Sequence, residues 1–281
     1  MRTRPLLALL VLVVIGAVGI ALYRGFGPIP GPTGCTTKVT TSAGTTVATL
    51  EPDQAHNATL IAAIGVRRGL PARAVSIALA TAMQESKLHN LNYGDRDSVG
   101  LFQQRPSQGW GTRRQVSDPY YATNAFYDVL AKVEGFESMR ITEAAQKVQR
   151  SAYPQAYEAH AEEARAMASA MTGYSPAAFT CTLSAPTRSG SADATATALR
   201  RAYGNLSITT GPGAIVQVAV PKGPEGRRLG WSIASFAVAH ADTWRLRSVG
   251  FDSRTWTNGS SSGQGWREAT TQSRTVVLKI S

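Results

Sequence analysis

Residues 84–104 read QESKLHNLNYGDRDSVGLFQQ, and the fold turns on how this stretch joins what precedes it. Upstream, Pro71 suits the first position of a helix, and Val75, Leu79, Ala82, Met83 and Ser86 recur at helical spacing. At about 100 degrees per residue, those five side chains fall within roughly 100 degrees of one another. Glu85 lies at the margin of that stripe, beside Ala78, at the rim of a core. A carboxyl in such a place is partly desolvated, which raises its pKa, and still open to a ligand. Asn92–Asp97 is a loop by composition, after which the apolar Gly100-Leu101-Phe102 run leads to the amides Gln103 and Gln104.

The flanking segments are helical. Asp53 is a candidate N-cap for a helix over Gln54–Arg68, which Gly69 terminates. Asp118 and Pro119 start a helix to about Lys132; Thr142 opens another, Pro154 interrupts it, and Gln155–Met171 continues to Gly173. The Thr-rich segment 36–50, TTKVTTSAGTTVATL, is expected to be extended. Past Cys181 the pattern changes. Residues 182–192, TLSAPTRSGSA, read as a linker; a helix near 193–203, a strand at 214–220, a helix over about 229–242 and strands near 246–251 and 275–280 make a small α/β unit.

At the other end, Arg2 and Arg4 precede an uncharged run of 19 residues, Pro5–Tyr23. At about 1.5 Å per residue it spans about 28 Å, the hydrocarbon thickness of a bilayer. The positive flank puts the N-terminus in the cytoplasm and the bulk of the chain outside. A cleaved signal peptide is the other reading; the lack of a small-x-small site directly after the run favours a retained anchor. Residues 25–34, GFGPIPGPTG, suit a stalk. Two cysteines in an exported chain read as one disulfide, Cys35–Cys181, rather than as two thiols. Closing a loop of that length contributes roughly 4–5 kcal/mol in the chain-entropy model. It also sets a boundary just after Cys181.

The length of 281 residues suits two folded units and a tail. The chain is therefore expected as an α+β protein: cytoplasmic tip and transmembrane helix (1–24), stalk and extended segment (25–50), mainly helical domain (51–181), linker (182–192) and small α/β C-terminal domain (193–281). Its formal charge of +11 suits a polyanionic partner, and Arg outnumbers Lys 23 to 6. No nucleic-acid motif accompanies that charge, so no nucleic-acid partner is expected. His56, His89, His160 and His240 show no ligand spacing, so neither a metal nor another cofactor is expected. His240 with Asp242 reads as an ordinary helix end.

Three motifs in register, Gln84-Glu85-Ser86, Gly94-Asp95-Arg96 and Gly100-Leu101-Phe102-Gln103-Gln104, resemble those of lysozyme-like lytic transglycosylases and goose-type lysozymes. Asp118-Pro119 and Asn124 are similar to a further helix start of that family, and the likeness covers roughly residues 54–172. Phe102 stands where the family usually has Met. Its later Tyr-Asn-Ala-Gly motif is absent, with Gln149-Arg150-Ser151-Ala152-Tyr153-Pro154 in the corresponding place.

The resemblance implies a lysozyme-like fold and cleavage of peptidoglycan glycan strands, with Glu85 as acid on the leaving oxygen and then as base. Asp95 is the best second-carboxylate candidate, with Asp97 behind it; both are equally well loop caps. A second carboxylate would make the enzyme a hydrolase, whereas attack by the sugar's own 6-hydroxyl needs none. Ser86, Tyr93, Gln103 and Gln104 are the implied substrate-binding residues, with Trp110 a weaker one. Trp231, Trp256 and Trp266 are candidate anchors in the C-terminal domain. The rival from another class is an inactive wall-binding or wall-assembly module on the same scaffold.

Overall fold

The computed structural model describes residues 33–150, 155–269 and 274–281. The expected membrane-crossing run and most of the stalk lie outside the described residues. Among the described residues no helix is long and apolar enough to cross a membrane.

The Thr-rich segment is extended, as its composition predicts, but it folds back on itself. Strands β1 (Gly34–Thr41) and β2 (Gly44–Leu50) form an antiparallel hairpin, and β1 pairs on its other edge with β3 (Phe179–Thr182). Cys35 stands opposite Cys181 in that register, and the two form the disulfide. A disulfide in this setting suggests an extracytoplasmic domain.

Helix α1 (Pro52–Arg67) starts two residues before the expected Gln54, with Glu51 rather than Asp53 at its cap. Pro52 fixes the first helical φ, the Glu51 backbone N–H donates to Gln54 Oε1 at 2.8 Å, and Asp53 sits in the first turn. Helix α2 (Ala72–Ser86) is buried more completely than a single stripe suggests. Every residue from Ala74 to Ala82 is buried, because alanines on the far faces let α6 (Ala161–Met171) approach closely. Left-handed Lys87 and Leu88 end α2. The short α3 (Arg113–Val116) precedes α4 (Pro119–Leu130), where Asp118 Oδ1 accepts the Tyr120 N–H at 2.9 Å as an N-cap. Helix α5 (Ile141–Gln149) and a 3-10 turn (Ala156–His160) lead into α6.

The C-terminal part holds α7 (Ala192–Tyr203), α8 (Pro224–Ala239) and six strands: β4 (Ser207–Gly211), β5 (Ile215–Ala219), β6 (Leu246–Phe251), β7 (Arg254–Thr257), β8 (Arg267–Glu268) and β9 (Thr275–Ile280). Their order is β4-β5-β9-β6-β7-β8. Each pairing among the described residues is antiparallel, so the unit expected as α/β is α+β in its strand directions.

Thr33–Ser281 clusters as one compact unit, in which α1 and α6 pack against α8. The tryptophans expected as anchors serve this packing instead. Trp231 and Trp256 are buried, Trp256 Nε1 donates to Cys181 O at 3.1 Å, and Trp266 Nε1 donates to Phe179 O at 2.8 Å. The expected linker is fastened too: Leu183 is buried, with its N–H donating to Ser262 Oγ at 3.0 Å.

Candidate active site

Glu85 is the penultimate residue of α2, so its backbone is fixed by the helix while its side chain reaches the end of the packed region. Tyr157, on the 3-10 turn and fully buried, donates its phenolic O–H to Glu85 Oε1 at 2.7 Å. Gln149, the last residue of α5, is a second hydrogen-bond partner of the carboxylate. Burial raises the Glu85 pKa above its ordinary value of 4.5; the hydrogen bonds from Tyr157 and Gln149 pull it down without cancelling the rise. Among the described carboxyl groups, Glu85 is the one with a resolved upward shift.

The next residue works inward. Ser86 is 5 % exposed, with its hydroxyl 2.7 Å from Leu101 O and 3.0 Å from Ala82 O. Gln149 Nε2 meanwhile donates to Phe102 O at 2.8 Å. The Gly100–Gln103 turn is thus held on one side by the end of α2 and on the other by the end of α5. Leu101 and Phe102 are buried, with Phe102 stacked on Phe126 at a centroid distance of 4.7 Å, so these two side chains belong to the core. Gly100 is required: at φ +82° a Cβ there would lie 2.2 Å from Val116 O.

The expected substrate-binding residues separate into two groups. Gln104 is 1 % exposed, with Nε2 donating to Ala122 O at 3.2 Å; with Ser86 it braces the fold and offers almost no surface to a ligand. Gln103 and Tyr93 lie in the loop. Gln103 Nε2 donates to Tyr93 O and Gly100 O, each at 3.2 Å, while the Tyr93 side chain is exposed (67 %).

The two aspartates differ as sharply. The Asp95 side chain is 90 % exposed, with a loose contact to Arg96 Nε at 4.0 Å. Asp97 accepts from Ser107 N at 2.7 Å, Arg105 Nε at 2.9 Å and Ser107 Oγ at 3.0 Å. The Ser107 N–H and the Arg105 guanidinium hold its carboxyl well below the usual carboxylate range. Asp97 is consequently a fixed anion that pins the 105–107 segment.

Trp110 is half-buried against the core. Tyr157 had no motif to announce it, whereas Gln149 opens the stretch that stands in place of the family's later motif. The rest of that stretch, 151–154, lies outside the described residues.

Among the described residues no group of three or more His, Cys, Asp or Glu side chains is arranged to hold a metal. Cavity size points elsewhere in the molecule: a 420 Å³ cavity is lined by Arg227, Asp252 and Arg254, and a 320 Å³ one by Asp242 and Arg245. The case for Glu85 rests instead on chemistry, a desolvated carboxyl with two neutral donors aimed at it. No protein-family model matches the chain, and no curated protein matches it.

Proposed function

We propose that the chain is a membrane-anchored enzyme that cleaves peptidoglycan glycan strands, with Glu85 as its single general acid and base. The observation that carries this reading is the raised pKa of a helix-end carboxyl held by two neutral donors, within motifs that resemble those of lysozyme-like enzymes. Protonated Glu85 gives its proton to the glycosidic oxygen as the C–O bond breaks, the sugar becoming oxocarbenium-like. The carboxylate left behind, kept in place by Tyr157 and Gln149, then takes a proton from the nucleophile that attacks the anomeric carbon.

Two features favour the sugar's own 6-hydroxyl as that nucleophile, giving a 1,6-anhydro end. Asp97 is committed to Arg105 and Ser107, and Asp95 is solvated. Neither supplies a desolvated base for water. The disulfide fits an oxidising compartment, and the Pro5–Tyr23 run would tether the enzyme beside the wall, where its +11 charge favours anionic polymers.

The deciding experiment digests purified peptidoglycan with the full chain and with Glu85→Gln, followed by mass spectrometry of the fragments. Anhydro-muramyl ends from the wild-type chain alone are expected. Reducing ends would make it a hydrolase. No fragments at any pH would overturn the enzymatic reading in favour of a wall-binding module, and undiminished cleavage by the variant would remove Glu85 as the acid.

A further inference from the structure

The sequence offers α2 no glycine at which to stop. Past Ser86 the chain leaves the helix through Lys87 and Leu88, at φ +52° and +63°, two successive residues with side chains in the left-handed region. Glycine closes a helix this way without strain, so at Lys87 and Leu88 the rest of the fold must hold the exit. The exit matters because Glu85 stands two residues before Lys87, in the last turn. The carbonyls of a last turn lack helical partners, and without other donors such a turn frays.

The first turns of α1 supply the hold. Gln54 Nε2 donates to Lys87 O at 2.8 Å, Asn57 Nδ2 donates to Leu88 O at 2.7 Å, and His89 Nδ1 donates to Asp53 Oδ2 at 2.6 Å. Three successive residues beyond Ser86 are thus gripped by Asp53, Gln54 and Asn57, whose spacing puts them on one side of the helix. The grip is itself fixed. Gln54 Oε1 accepts the Glu51 N–H at 2.8 Å, so its amide is held at both ends, and His56 on the same turn donates to Asp242 Oδ1 at 3.2 Å and stacks on buried His240 at 4.5 Å. On the other side the exit is wedged by the buried Leu88 side chain and by Ser86 Oγ, which donates to Leu101 O. Glu85, between these holds, is left facing Tyr157.

We propose that Asp53, Gln54 and Asn57 are positioning residues for the acid: by clamping the strained exit of α2 they keep its last turn wound and hold Glu85 in its desolvated place. The proposal rests on the role given to Glu85 above. Asn57→Leu tests it, being close in size, uncharged and without the donor to Leu88 O. In the full chain it should lower kcat for glycan cleavage by about tenfold with KM nearly unchanged, since the acid is loosened while the substrate surface stays intact. Nuclear magnetic resonance of isotopically labelled glutamate carboxyls, with the Glu85 signal identified by its loss in Glu85→Gln, should show the Glu85 titration moving down toward 4.5 as the turn opens to water. The alkaline limb of the kcat profile should move down with it. Adding Lys87→Gly, which takes the left-handed conformation without strain, should restore most of both. A lower melting temperature with kcat and the Glu85 titration unchanged would make the clamp merely structural and overturn the proposal, as would failure of Lys87→Gly to restore either quantity. The titration needs no turnover, so the two readings fail separately. Cleavage by Glu85→Gln as fast as wild type would remove the acid and the need to position it; an inactive Glu85→Gln beside an Asn57→Leu chain that titrates and cleaves like wild type would overturn the clamp alone.

Discussion

Glu85 and Asp97 lie twelve positions apart, one at the end of α2 and the other in the loop beyond it, and their surroundings drive their chemistry in opposite directions. Glu85 has lost water and gained two neutral donors; Asp97 keeps water and gains a guanidinium, a hydroxyl and a backbone N–H. The first is pushed toward its protonated form, and the second is held ionised. Two carboxyl groups pushed apart in pKa are how one site performs acid chemistry beside a fixed anion. The difference teaches that burial decides the outcome: both carboxyls accept hydrogen bonds that lower the pKa, led at Asp97 by the neutral Ser107 N–H, and only at Glu85 does desolvation outweigh them.

The largest test of that contrast is Glu85→Gln, which should reduce glycan cleavage by about a thousandfold, as removal of a general acid does. The same variant should melt higher than wild type at neutral to alkaline pH. Because folding raises the Glu85 pKa, the ionised form is penalised in the native state above that pKa. The penalty is absent below the ordinary value of 4.5, where both states are protonated, so the variant's advantage should fade as the pH falls through that range. A constant advantage at all pH values would show that Glu85 is not desolvated.

Next in size is Asp97→Ala, which frees Arg105 and Ser107 and should raise KM more than it lowers kcat, with a total loss of about tenfold in kcat/KM. A thousandfold fall in kcat would instead make Asp97 part of the chemistry. Tyr157→Phe should cost about threefold in rate and move the alkaline limb of the pH profile upward, since the lost hydrogen bond had been lowering the Glu85 pKa. A downward move would break the electrostatic account. Smallest of all, Asp95→Asn should leave turnover within about twofold, as at other solvated surface positions; a large loss there, with reducing ends in the product, would restore the second carboxylate.

Much of this was legible in the sequence. The Asp118-Pro119 start of α4, the course of α2 and strands β5, β6 and β9 follow from local signals that tertiary packing left alone, and the Cys35–Cys181 pairing follows from there being two cysteines. Strands β4, β7 and β8 went unread because SITTG, RTWT and RE are short and lack an apolar alternation; their pairing comes from neighbours distant in sequence. The Asp53 cap was misplaced because Pro52 had already started the helix. At the candidate site, the position of Glu85 was readable from its helix and motif. Its partner Tyr157, 72 residues away in a 3-10 turn, was not, since no motif joins it to Glu85. The tryptophans misled for a related reason: an indole is equally suited to a ligand and to a backbone carbonyl, and Trp256 and Trp266 take the carbonyls of β3.

The disulfide has a consequence for how the chain is assembled. A polypeptide delivered N-terminus first presents β1 long before β3, 146 residues later, so the middle strand of the three-stranded sheet waits with one edge open. That waiting edge is made of Gly34-Cys35-Thr36-Thr37-Lys38, where the Lys38 charge is what discourages a stray strand. The last strand to arrive, β3, closes both the sheet and the disulfide ring at once.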